Sequence, residues 1–110
     1  MGVGPQAAFQ TDAVRIEILD QAEQDLVEGF HFYEDQQFGL GSYFLTNLFS
    51  DIESLRLYAG IHRHAYKKYH RLLSRRFPFA IFYTMRKDTV FIHAVLDCRR
   101  APAWIRARLR

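Results

Sequence analysis

The residues most able to do chemistry are concentrated late in the chain. Arg63, Lys67, Lys68, Arg71, Arg75, Arg76, Arg99, Arg100, Arg106 and Arg108 are interleaved with Tyr66, Tyr69, Phe77 and Trp104. Guanidinium groups remain charged at any physiological pH and pair with phosphate or carboxylate through a rigid fork of donors. With flat aromatic surfaces between them they suit nucleic acid, by phosphate neutralisation and base stacking. They equally suit an acidic polypeptide, by charge steering and aromatic anchoring. The aromatics have a plainer use as core, Phe77 above all, while Trp104 is balanced between packing and an exposed anchor. Arg71, Arg75, Arg76, Arg99, Arg100 and Trp104 are the residues expected to contact a target or partner. His62, His64, His70 and His93 are the other reactive group, and His62 and His64 alternate as on one face of a strand. Imidazoles ligate metals, but no cysteine or carboxylate nearby completes a set. No metal and no cofactor is expected.

The charge distribution sharpens this. The 110 residues carry a net charge of only +3, yet residues 1–55 hold one basic and ten acidic residues, and residues 56–110 hold fourteen basic and two acidic ones. Such asymmetry implies a partner that reads one face, unless the halves neutralise each other inside the fold. Hydrophobic residues make up 49%, with ten Phe and six Tyr, enough to bury a core without disulfides. The single Cys98 fits a reducing compartment. No basic segment followed by an apolar stretch marks a signal peptide, and the apolar runs fall far short of the roughly 20 residues of a membrane span. The expected location is cytoplasmic, without membrane contact.

These side chains need elements to position them. Residues 1–13 contain Gly and Pro without periodicity and read as a flexible arm, leaving 14–110 as one domain. Val14 to Ile18 alternates like a half-buried strand. Asp20 with Glu23 resembles a capping box opening a helix, whose stripe is Ala22, Leu26, Phe30 and Tyr33 and whose wet side includes Gln24, Asp25, Glu28 and Asp35. Gly39 to Ser42 breaks the pattern, and Ser42 is placed to cap a second helix with a stripe of Leu45, Leu48, Phe49, Ile52 and Leu55 ending near Gly60. Tyr69–Ser74 and Phe79–Met85 read as strands, the second buried on both faces. Arg86-Lys87-Asp88 makes a hairpin turn into Thr89–Leu96. Pro102 suits the first turn of a short C-terminal helix. The expected fold is α+β, in the order β-α-α-β-β-β with that last helix added. The helical hairpin packs on one face of a mostly antiparallel sheet, since neither layer can bury its apolar side alone.

The order and certain blocks resemble the RelE/ParE superfamily of toxins. Arg75-Arg76-Phe77-Pro78-Phe79-Ala80-Ile81-Phe82-Tyr83 is similar to the basic strand block of ParE-like members, and Asp97-Cys98-Arg99-Arg100-Ala101-Pro102 to their ending. Val14 to Ile18 followed by Gln21 to Leu26 matches the strand-then-helix start, so the likeness spans roughly residues 14–106. It implies the toxin of a type II toxin–antitoxin module, neutralised by a cognate antitoxin protein. In the ParE branch it implies harm by binding a large target, with DNA gyrase the candidate. In the RelE branch it implies ribosome-dependent cleavage of mRNA.

For the RelE chemistry the resemblance carries over Arg71, Tyr83 and Arg100. The branch's arginine three positions before that tyrosine falls on Ala80, its lysines fall near Arg71 and Leu73, and its last tyrosine falls at Arg106. Arginines hold phosphate but transfer protons poorly. The expectation therefore leans away from an enzyme. The alternatives are a RelE-type endonuclease and a non-toxic nucleic-acid-binding module. An exposed strand edge would invite the antitoxin, or self-association into a homodimer in its place.

Overall fold

The computed structural model of the protein describes residues 14–62 and 64–110, so the arm at 1–13 and Arg63 lie outside the described residues. Strand β1 (Arg15–Ile18) leads into helix α1 (Asp20–Gln36), helix α2 (Leu40–Glu53) and a single turn, α3 (Leu55–Tyr58). Strands β2 (His64–Tyr66), β3 (Tyr69–Leu73), β4 (Phe79–Arg86) and β5 (Thr89–Asp97) follow, and helix α4 (Pro102–Arg108) ends the described chain. The sheet order is β1-β5-β4-β3-β2, with β1 parallel to β5 and the other neighbours antiparallel. This is the expected α+β arrangement with two additions, α3 and β2.

Helices α1 and α2 cover one face of the sheet. Ala22, Leu26, Tyr33, Phe44, Leu48 and Ile52 pack on Phe79, Ile81, Tyr83, Val90, Ile92 and Val95. The helices approach closely at two glycines. A Cβ at Gly29 would sit 2.5 Å from the Phe44 ring, and one at Gly41 would sit 2.6 Å from the Phe30 carbonyl oxygen. The other face of the sheet buries Tyr69, Ala80, Phe82, Ala94 and Leu96 beneath Leu109, with Trp104 and Ile105 half-buried beside them. A strand covered on both faces needs apolar residues at consecutive positions, which is why β4 is a continuous run from Phe79 to Tyr83.

Between the pairs Phe82↔Ala94 and Tyr83↔Ile92, His93 is an extra residue on β5, a β-bulge. It resets the alternation, so that Val95 and Ile92 both face the helices although they are three positions apart. His93 itself turns to the opposite face, where its ring meets Tyr69 edge-on and its Nε2 lies 2.9 Å from Thr84 Oγ1. The turn at Lys87-Asp88 places Lys87 at φ 57°, the left-handed geometry of a tight hairpin.

Four expectations are corrected. Asp20 does not cap α1: Leu19 is the N-cap, with no side-chain hydrogen bond there. Ser42 does not cap α2, which begins at Leu40 behind Gly39 at φ 87°. The carboxylate of Glu34 serves that end instead, accepting the Gly39 and Gly41 N–H groups at 2.9 Å each. A negative group at a helix N-terminus satisfies orphan donors and complements the dipole. Asp25 is not on the wet side of α1, since it is only 8% exposed. The buried stripe of α2 also differs from the expected one, taking in Phe44 and leaving Phe49 exposed.

Candidate functional site

Antiparallel pairing sets Arg71 of β3 opposite Phe82 of β4, on the face away from the helical hairpin. Small residues there, Ala65 and Ala80, leave the floor hollow. The chain after β5 then turns at Cys98–Arg100 and returns as α4 across the same face. Between them lies a cleft of about 290 Å3 lined by Tyr66, Arg71, Phe82, Cys98, Arg100 and Arg106, among others. Arg71, Arg100 and Arg106 form no ion pair among the described residues. Three uncompensated guanidiniums over an apolar floor make a binding site for anionic groups attached to something apolar. The Arg100 guanidinium lies 3.8 Å from the centre of the Trp104 ring, a cation–π contact at the edge of the cleft.

The expected site residues are thus split. Arg71 and Arg100 meet in the cleft, with Trp104 supporting Arg100. Arg75 is on the other side of the sheet's end, pairing at 3.1 Å with Asp51, a buried carboxylate that also accepts from Ser74 Oγ at 2.7 Å. Arg76 lies beside Arg75 and Asn47, away from the cleft. Arg99 folds back on Asp97, 2.6 Å between Nη2 and Oδ2. Hydrogen bonding to Arg99 holds the Asp97 carboxyl below the usual carboxylate range and raises the guanidinium in return. Neutralisation between the halves is therefore real for Arg56, Arg75 and Arg108, which pair with Glu53, Asp51 and Asp25, and does not reach the cleft.

Tyr83 does not join Arg71 and Arg100. Alternation along β4 turns it to the helical face, fully buried, where its hydroxyl accepts the Gly60 N–H at 3.3 Å and lies 2.7 Å from His62 Nδ1. Burial pushes its phenol up, the wrong direction for a proton acceptor. The tyrosine that lines the cleft is Tyr66, and no local pattern distinguishes it from the other tyrosines. Cys98 is the other titratable proton carrier lining it. Although Cys98 is exposed, desolvation by the surrounding chain raises its thiol, partly opposed by Arg71, the direction away from an activated nucleophile.

The histidines form a separate knot. His70 stacks on Tyr83 with ring centroids 5.0 Å apart and its Nδ1 lies 2.6 Å from the His62 carbonyl oxygen. His64 lies against His70 with ring centroids 4.1 Å apart. Among the described residues no group of three His, Cys, Asp or Glu side chains is placed to hold a metal ion. No helix among them is long and apolar enough to cross a membrane.

Asp25 is a buried carboxylate with partners on two other elements. Its Oδ2 accepts the Val95 N–H at 3.0 Å, on the stretch of β5 that has run past the end of β1, and both its oxygens receive Arg108 at 2.8 Å. Its place in sequence held the clue. Asp25 falls between Ala22 and Leu26 or Gly29, within the apolar stripe rather than opposite it.

No protein-family model matches the chain, and no curated protein matches it significantly. Among solved structures, a chain of the chromosomal ParDE TA system from P. aeruginosa superposes with a TM-score of 0.66 at 13% identity, over 76% of this chain and 95% of that one. At that identity the likeness concerns architecture. This chain shares the α+β fold of that ParDE chain.

Proposed function

We propose that this chain is the toxin of a type II toxin–antitoxin module, ParE-like in acting by binding and inhibiting a large cytoplasmic target, with DNA gyrase the candidate. A cognate antitoxin would neutralise it. The observation that carries this reading is the cleft. Arg71, Arg100 and Arg106 converge without acidic partners, on a fold shared with a chain of a ParDE TA system. Such a surface grips anionic groups by electrostatics and needs no proton transfer. An acidic antitoxin tail covering it would neutralise the same arginines that hold the target. In the antitoxin's absence, the short β2 leaves part of the β3 edge open to a second copy, hence a homodimer.

One observation favours the second reading, a RelE-type mRNA endonuclease. Tyr66 lines the cleft near Arg71, so a phenol and guanidiniums do share one site, although Tyr83 faces elsewhere. Expression of the chain alone in a bacterium separates the two. Growth arrest with filamentation and a DNA-damage response is expected, abolished by Arg71→Ala with Arg106→Ala and retained in Tyr66→Phe. Rapid transcript cleavage that is lost in Tyr66→Phe would replace the first reading by the second. Unaffected growth would leave a nucleic-acid-binding module.

A further inference from the structure

Helix α4 supplies much of the cleft and has little holding it in place. Between Pro102 and Arg108 it contains no fully buried side chain. Its apolar contacts are the half-buried Trp104 and Ile105, and Leu109 just beyond its end. Seven residues are too few for a helix to persist in water unaided. The polar contact that remains is Arg108, which reaches round the edge of β5 to Asp25 on α1, the layer covering the opposite face of the sheet. Hydrogen bonding to Asp25 raises the Arg108 guanidinium against the effect of its burial.

Neither Asp25 nor Arg108 lines the cleft, yet a chain of contacts leads to it. Arg108 lies 5.7 Å from the centre of the Trp104 ring, and Arg100 lies 3.8 Å over the same ring. Arg106 is carried on the helix itself. We propose that Asp25 is a positioning residue for the arginine cleft. By orienting Arg108 it fixes α4 on the sheet, and through Trp104 it fixes the spacing of Arg100 and Arg106 seen by an anionic partner. This rests on the reading of the cleft as a binding surface. A buried ion pair is a poor source of net stability compared with apolar residues of the same volume. Its bidentate geometry, however, sets one orientation of the helix, which an apolar contact does not.

The chain's only tryptophan is Trp104, so its fluorescence reports on this helix alone. The test pairs Asp25→Asn with Arg108→Met in one protein. The amide keeps an acceptor for the Val95 N–H, and both charges leave together, so the fold is protected. In the unliganded protein, acrylamide quenching of Trp104 should rise about threefold as α4 loosens. Tripolyphosphate, titrated against Trp104 emission, should bind about tenfold more weakly, as expected for two coupled sites. Arg71→Ala should weaken tripolyphosphate without changing the quenching. A core variant chosen for an equal loss of melting temperature, such as Val90→Ala, should change neither. Unchanged quenching in the double variant overturns the positioning role, as does weakened binding matched by Val90→Ala. If the parent chain does not bind tripolyphosphate and Arg71→Ala changes nothing, the reading of the cleft has failed and Asp25 has nothing to position. The quenching result would then still decide separately whether Asp25 holds the helix.

Discussion

Asp25 and Arg108, 83 positions apart, meet in a bidentate ion pair with both contacts at 2.8 Å. The same carboxylate accepts the Val95 N–H, so one side chain ties together α1, β5 and α4. Removing one member of a buried pair strands the other and the backbone donor. Asp25→Ala should therefore cost about 3 kcal/mol, read as a shift of the urea midpoint. A loss no larger than that of an ordinary surface substitution would mean that water replaces the carboxylate without penalty.

Alanine is the better helix former by about 1 kcal/mol, so Gly41→Ala would ordinarily stabilise α2. Here the added Cβ would lie 2.6 Å from the Phe30 carbonyl oxygen and 2.9 Å from Glu34 Cβ. Backbone cannot move aside as the end of a side chain can, and overpacking costs about 1–3 kcal/mol. The net effect expected is destabilisation, checked by thermal unfolding. A higher melting temperature would show that the two helices separate easily.

The start of α2 supplies a paired prediction. Glu34 accepts two amide N–H groups there, whereas Ser42 lies exposed within the helix. Glu34→Ala should cost about 1 kcal/mol, the usual loss for a helix cap. Ser42→Ala should be neutral or slightly stabilising. The reverse ranking in chemical denaturation would return the cap to Ser42.

Burial lowers the His62 imidazole, with nearby His70 adding to the shift, and burial likewise lowers His93, with Lys68 adding. Both rings take up a proton less readily in the folded chain than in the unfolded one, which does so near the ordinary value of about 6.5. The folded state binds fewer protons, so this stability is fully present above about pH 6.5 and is lost as pH falls through the depressed folded values. Unfolding free energy should drop between pH 7.5 and 5.5, and His62→Gln should flatten the dependence. A parent protein equally stable at both pH values would contradict this.

Much of the layout could be read from the residues because the relevant patterns are local. The unbroken apolar run at Phe79 to Tyr83, the turn at Lys87-Asp88 and Pro102 opening a helix each follow from a few neighbours in sequence. Residue type alone puts Arg71 and Arg100 in one basic set with Arg75, Arg76 and Arg99 but does not separate them, and Arg106 lines the cleft at the position where the resemblance has a tyrosine. What escaped depends on distant partners. β2 has three residues and no buried one, so no periodicity marks it. Asp25 reads as a wet-side acid until Val95 and Arg108 are brought to it. Tyr83 has the residue type for chemistry, but strand alternation commits it to the helical core.

The extra residue at His93 means that β5 stores information in its length as well as its composition. Excising His93 would join Ile92 directly to Ala94 and restore strict alternation. Phe82↔Ala94 and Tyr83↔Ile92 would become consecutive pairs, with Ile92 still facing the helices and Ala94 still facing away. Val90 and Ile92 would stay against the helices, and the loss would be confined to the ring that meets Tyr69 and Thr84. Deleting Ile92 instead would put His93 in its place among the helices, so the strand tolerates the loss of one residue only where it carries one to spare.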